Sequence, residues 1–112
     1  MQINTRSVKG ATILDMSGNL TIGVGDVQLR NQVSDLLRQG VNNILLNLKG
    51  VRMMDSSGLG ELVRSKNACA RAGVTLKLLH VEDKVAEVLE MTNQLGTFDT
   101  YDDEIDAIAS FR

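Results

Sequence analysis

The sequence predicts a small α/β domain built on a mixed, mainly parallel sheet of four or five strands. Three observations lead there. Strand-like and helix-like segments alternate along most of the chain, which implies right-handed crossovers and parallel pairing. The first two strand segments, residues 2–8 and 11–16, are separated only by Lys9-Gly10, a two-residue hairpin turn, so the sheet opens with an antiparallel pair. Aromatic residues are confined to Phe98, Tyr101 and Phe111, so Leu, Val, Ile and Met must fill the core, which suits helices lying on a small sheet. With 112 residues, the expectation is one domain spanning 1–112.

Residues 2–8 alternate weakly and read as an edge strand. Ala11–Met16 forms the second strand, apolar at Ile13 and Leu14. Ser17–Gly25, with Gly18, Gly23 and Gly25, reads as a loop. Its glycine spacing matches neither a P-loop nor a dinucleotide fingerprint, so turn geometry accounts for it better than phosphate binding does. Asp26 is placed to cap a first helix whose buried stripe is Leu29, Val33, Leu36 and Leu37 and which Gly40 ends. Ile44-Leu45-Leu46-Asn47-Leu48 is the most apolar run and reads as a buried parallel strand. Asn47 interrupts it, most simply to satisfy local hydrogen bonds. A loop over 49–57 follows, then a second helix from about Leu59 to Ala72, with Leu59, Leu62, Val63 and Ala70 inward. Glu61 is expected in its first turn, Arg71 in its last, and Gly73 as its stop. Val74–Leu79 alternates as a fourth strand. A third helix runs over Glu82–Met91, with Val85, Val88 and Leu89 inward. A short fifth strand is expected within Leu95–Thr100. A last helix over Asp102–Ser110 has Ile105, Ile108 and Ala109 on one face.

Composition narrows the function. The formal net charge is -2, and Lys and Arg are not clustered, so no basic face for nucleic acid is indicated. No apolar run approaches the ~20 residues of a membrane span. The start of the chain lacks signal-peptide character, and the single Cys69 excludes an internal disulfide, which together suit a cytoplasmic protein. Cys69 has no His or second Cys beside it in sequence and reads as a core thiol rather than a nucleophile. Asp102, Asp103, Glu104 and Asp106 lack a calcium-loop pattern and read as a charged helix start. No spacing calls for a metal or another cofactor.

The working segment is Met53-Met54-Asp55-Ser56-Ser57-Gly58-Leu59-Gly60. It joins the buried strand to the second helix, and a helix start offers free N–H groups and a positive dipole end. A hydroxyl there is exposed, and a phosphate added to it is electrostatically favoured. Asp55-Ser56-Ser57-Gly58-Leu59-Gly60 resembles the phosphorylation motif of bacterial anti-sigma factor antagonists, which are single STAS domains, and the resemblance extends over nearly the whole chain. It implies strand order 1-2-3-4-5, the first strand antiparallel, and helices mainly on one face. It also implies that Ser56 is phosphorylated by an ATP-dependent serine kinase that doubles as the anti-sigma factor, and that a serine phosphatase resets it. The unmodified protein would then capture the kinase and free a sigma factor. Members often carry an aspartate after the leucine of a Gly-x-Leu segment. Here Gly18-Asn19-Leu20-Thr21 has Thr21 at that place, a hydroxyl without the charge.

If the second and third strands are parallel neighbours, their following loops meet beyond the C-terminal strand ends, where open α/β sheets carry their sites. Asn19, Thr21, Asp55, Ser56, Ser57, Gly58, Leu59 and Gly60 would then share a partner-binding surface, with Ser57 capping the helix. Two alternatives stand beside this. One is a STAS interaction subunit of another bacterial signalling assembly, which the Thr21 departure favours. The other is a serine-nucleophile enzyme, for which His80, the lone histidine, is the available base, though no Gly-x-Ser-x-Gly elbow is present.

Overall fold

A computed structural model describes residues 1–111. The strands are β1 (Gln2–Val8), β2 (Ala11–Leu20), β3 (Asn43–Met54), β4 (Thr75–Leu79) and β5 (Thr100–Tyr101). The helices are α1 (Gly25–Gln39), α2 (Ser56–Arg71), α3 (Asp83–Met91) and α4 (Glu104–Ala109). The sheet order is β1-β2-β3-β4-β5, as the family resemblance implies, with β1 antiparallel to β2 and the other pairs parallel. The Lys9-Gly10 turn is present, both residues at positive φ.

Alternation along the strands divides the core in two. Leu14, Met16, Ile44, Leu46, Leu48, Leu76 and Leu78 face α1, α2 and α3 and form the main cluster with Leu29, Val33, Leu36, Leu62, Val85 and Leu89. Ile13, Leu45 and Leu79 point the other way, where α4 covers them with Ala107 and Ile108. Helices thus lie mainly on one face. Cys69 is fully buried in the main cluster, in line with a core thiol. Its apolar surroundings push the thiol pKa up to about 11.

The largest departure from the sequence reading is strand length. β2 continues to Leu20 and β3 to Met54, so segments read as loops are paired strand. Gly18 and Gly50 are the cause of both the misreading and the geometry. The β2–β3 register shifts twice, between Asp15 and Ser17 and between Gly18 and Asn19. A Cβ on Gly50 would stand 2.7 Å from the Met16 carbonyl oxygen. These glycines mark irregularities inside strands rather than turns.

Smaller corrections follow from the helix ends. α1 begins at Gly25, so Asp26 lies inside it rather than at the cap; its carboxylate accepts the Gly23 N–H (2.9 Å) and the Val27 N–H (2.8 Å). α2 begins at Ser56 rather than Leu59, so Glu61 is beyond the first turn and Ala70 is turned to solvent. The segment expected to hold the fifth strand contains a 3-10 turn, Leu95–Thr97, and β5 is only Thr100–Tyr101. In α4, Ala107 and Ile108 face inward, while Ile105 and Ala109 are exposed. Asn47 does satisfy local bonds: its Nδ2 donates to Asp15 Oδ1 at 2.8 Å, and its Oδ1 accepts the Lys49 N–H.

Candidate functional site

β2 and β3 run side by side beyond the point where β4 stops pairing, and their last partners are Leu20 and Met54. The loop after β2 (21–24) and the start of α2 therefore meet on one end of the sheet. This is the juxtaposition expected from the sequence.

Two glycines set how closely the parts approach. A Cβ on Gly58 would lie 2.0 Å from the Leu20 carbonyl oxygen, and one on Gly25 would lie 2.3 Å from the Asn19 carbonyl oxygen. The first turns of α1 and α2 thus both pack directly on the Asn19–Leu20 backbone. Gly58 is not at positive φ, so its requirement is space and not torsion. Gly60, one turn from Ser56, is exposed, and nothing lies within 4 Å of the position its Cβ would take.

Asp55 is the α2 cap, in extended conformation; Ser57, expected to cap, is instead inside the first turn. The Asp55 carboxylate accepts the Gly58 N–H through Oδ1 at 2.9 Å and the Ile22 N–H through Oδ2 at 3.0 Å. These backbone donors, Gly58 foremost, hold its pKa below the usual carboxylate range. One side chain thereby closes the helix start and ties the β2–α1 loop to it.

Ser56 is exposed at the first position of α2, and Ser57 is half-buried. Asn19 is exposed; Thr21 is half-buried, and its carbonyl accepts the Asp26 N–H at 3.1 Å. Gly58 and Leu59 are buried and support the site from beneath rather than facing outward. His80 does not join the serines. It follows β4 at positive φ, with Nδ1 3.3 Å from Glu82 Oε2.

Two features escaped the sequence reading. The end of the sheet that carries Ser56 also exposes an apolar rim: Ile22 is 71% exposed, Val24 61% and Met53 47%, with Val27 less so. Ile22 and Val24 interleave with Gly23 and Gly25, and apolar residues inside a glycine-rich turn were the available signal. The second feature is the buried Glu61 carboxylate, which pairs with Arg30 Nε of α1 at 3.0 Å and fixes α1 against α2. A helical position facing a neighbouring helix is not distinguishable from a solvated one by spacing alone.

A family model described as STAS domain matches residues 2–107. Among curated proteins, an anti-sigma F factor antagonist of Paenibacillus polymyxa is 27% identical over 108 residues, covering 96% of this chain and 92% of that protein. Among solved structures, a Thermotoga maritima protein provisionally assigned as an anti-sigma factor antagonist superposes with a TM-score of 0.88 at 28% identity, covering 98% and 94% of the two chains. The Bacillus cell fate determinant SpoIIAA in its phosphorylated form shares the fold, with a TM-score of 0.74 at 19% identity over 99% of this chain and 100% of that one. The chain belongs to the STAS domain family.

Proposed function

We propose that this STAS domain is an anti-sigma factor antagonist, a regulatory binding module switched by phosphorylation of Ser56. The observation that carries the reading is an exposed serine at the first position of a long helix, on an end of the sheet that also exposes apolar side chains. A hydroxyl on such a rim is accessible to a kinase, and the same rim offers the apolar area from which interface cores are made. The partner is an anti-sigma factor serine kinase. In the unphosphorylated form the rim holds that kinase away from its sigma factor.

The modifying step is phosphoryl transfer. Ser56 Oγ bonds to the γ-phosphorus of ATP, the bond to the bridging oxygen breaks, ADP leaves, and the hydroxyl proton passes to a base of the kinase. A serine phosphatase returns the hydroxyl by hydrolysis. The added group brings roughly -1.5 to -2 charge to a surface that must be desolvated for docking. The helix start stabilises that charge in the free protein, so the modified form stays folded while the complex is lost. Asn19, Thr21, Asp55, Ser57, Gly58, Leu59 and Gly60 shape or border the docking surface. The chain acts in the cytoplasm, where its partners reside.

A second reading, an interaction subunit of another signalling assembly, is favoured by Thr21, which leaves the β2–α1 loop without the acidic group often found in relatives. A kinase assay on the wild type, Ser56→Ala and Ser57→Ala tests the primary reading. Ser56→Ala is expected to abolish labelling and Ser57→Ala to retain it. Full labelling of Ser56→Ala contradicts the assignment.

A further inference from the structure

The side-chain hydrogen bond that joins the β2–α1 loop to the start of α2 comes from Asp55. Its two oxygens are divided between the two parts, Oδ1 to Gly58 and Oδ2 to Ile22. The loop's other end is fixed separately, because Asp26 Oδ1 takes the Gly23 N–H. Ile22 therefore lies between Thr21 and Gly23, both bonded to Asp26, and is itself strapped to Asp55. Its side chain is 71% exposed, so moving it breaks little packing.

We propose that Asp55 is a positioning residue that transmits the state of Ser56 to Ile22: a phosphoryl group on Ser56 dislodges the Asp55 carboxylate and releases Ile22 from the docking rim. The inference rests on the Ser56 reading above and adds a conformational arm to it. A helix start has few free N–H donors, and a phosphate at the first position competes for the same ones that the capping carboxylate uses. A dianion and a carboxylate on adjacent residues also repel, and the half-charge of the helix end cannot neutralise both. The phosphate has three acceptor oxygens and the stronger charge, so the carboxylate is the group that turns out to solvent. The Ile22 N–H then exchanges its charged acceptor for water. Phosphorylation in this way removes an apolar anchor from the rim as well as adding charge to it.

The test uses the full chain with phosphoserine installed at position 56 during synthesis, so that no kinase is involved. The Ile22 amide is followed by NMR and hydrogen exchange. Loss of one charge-assisted hydrogen bond is expected to speed its exchange by roughly ten- to a hundredfold, while the Gly23 and Val27 amides held by Asp26 keep their rates. Asp55→Asn supplies the second arm. Its amide oxygen can still cap Gly58, but its NH2 cannot accept from Ile22. This variant is expected to show the fast Ile22 amide without phosphate, and adding phosphoserine should change it little further. An Ile22 amide unchanged by phosphoserine, or still protected in Asp55→Asn, overturns the proposal. A Ser56 that is not the natural acceptor shows itself in the kinase assay and leaves this exchange result standing, so the two failures are separable.

Discussion

At the residue scale, Gly58 and Asp55 do different work from their motif neighbours. Gly58→Ala places a methyl group where the Leu20 carbonyl oxygen already stands, so α2 must shift outward. Overpacking of this kind is expected to lower stability by about 1–3 kcal/mol, read as a fall in denaturant midpoint. Gly60→Ala, with open space at the same atom, is the matched control and should leave the midpoint unchanged or slightly raised. Asp55→Ala removes the cap and the strap together and should destabilise by about 1–2 kcal/mol. Because the folded state holds the Asp55 carboxyl below its ordinary range, its contribution is complete above pH ~4 and is lost as pH falls through the lowered value. The wild-type advantage over Asp55→Ala should therefore shrink in acid; an advantage that is flat down to pH 2 would show that the carboxylate charge is irrelevant. Asp15 and Glu104, both lowered by Arg6, titrate in the same direction and are present in both proteins. The site was legible at this scale in part. The motif drew attention to Ser56 and the apolar stripe turned Leu59 inward, but the capping role of Asp55 depends on where α2 begins, which the sequence placed too late.

At the scale of elements, the fixed relation of α1 to α2 holds the rim in shape. Glu61 is 3% exposed, while Arg30 is partly solvated. Arg30→Ala leaves a buried carboxylate without its cation, and an unpaired buried charge typically costs a few kcal/mol. Water reaching the partly open Arg30 side reduces this, so a loss of about 1–2 kcal/mol is expected in chemical denaturation. Glu61→Gln in the Arg30→Ala background should recover part of it, because the remaining group is neutral. No recovery would mean that the loss comes from the Arg30 stem and not from the charge. Strands and helices were legible where periodicity was long: α1, α3 and the apolar half of β3 match their expected spans closely. The ends of β2 and β3 were not, because Gly18 and Gly50 look like turn residues in one dimension. Only the pairing of the two strands reveals that they accommodate a shifting register.

For the whole molecule, the order of the sheet brings two sequence-distant loops together, and the main core cluster beneath the helices is largely aliphatic. Cys69 reports on that core. Burial raises its thiol to about 11, so the folded state keeps a proton that the unfolded chain releases near pH 8.5–9. Stability is thus undiminished below that range and falls as pH rises towards 11, by on the order of 1–3 kcal/mol from this group. The decline between pH 8 and 11 should be shallower in Cys69→Ala, and in the native protein the thiol should react slowly with alkylating reagents. Equal slopes for the two proteins would show that the thiol is not desolvated. The fold as a whole was legible because alternation of strands and helices, the opening hairpin and the family resemblance all agree. The apolar rim was not, because exposure belongs to the assembled surface.

The central claim is that Ser56 switches binding of an anti-sigma factor kinase. Isothermal titration of the cognate kinase with unmodified protein and with protein carrying phosphoserine at position 56 tests it most directly. Unmodified protein is expected to bind, and the phosphorylated form to bind at least about tenfold more weakly, the loss of roughly 1.4 kcal/mol or more that a desolvated like-charge contact brings. Equal affinity for the two forms would contradict the claim.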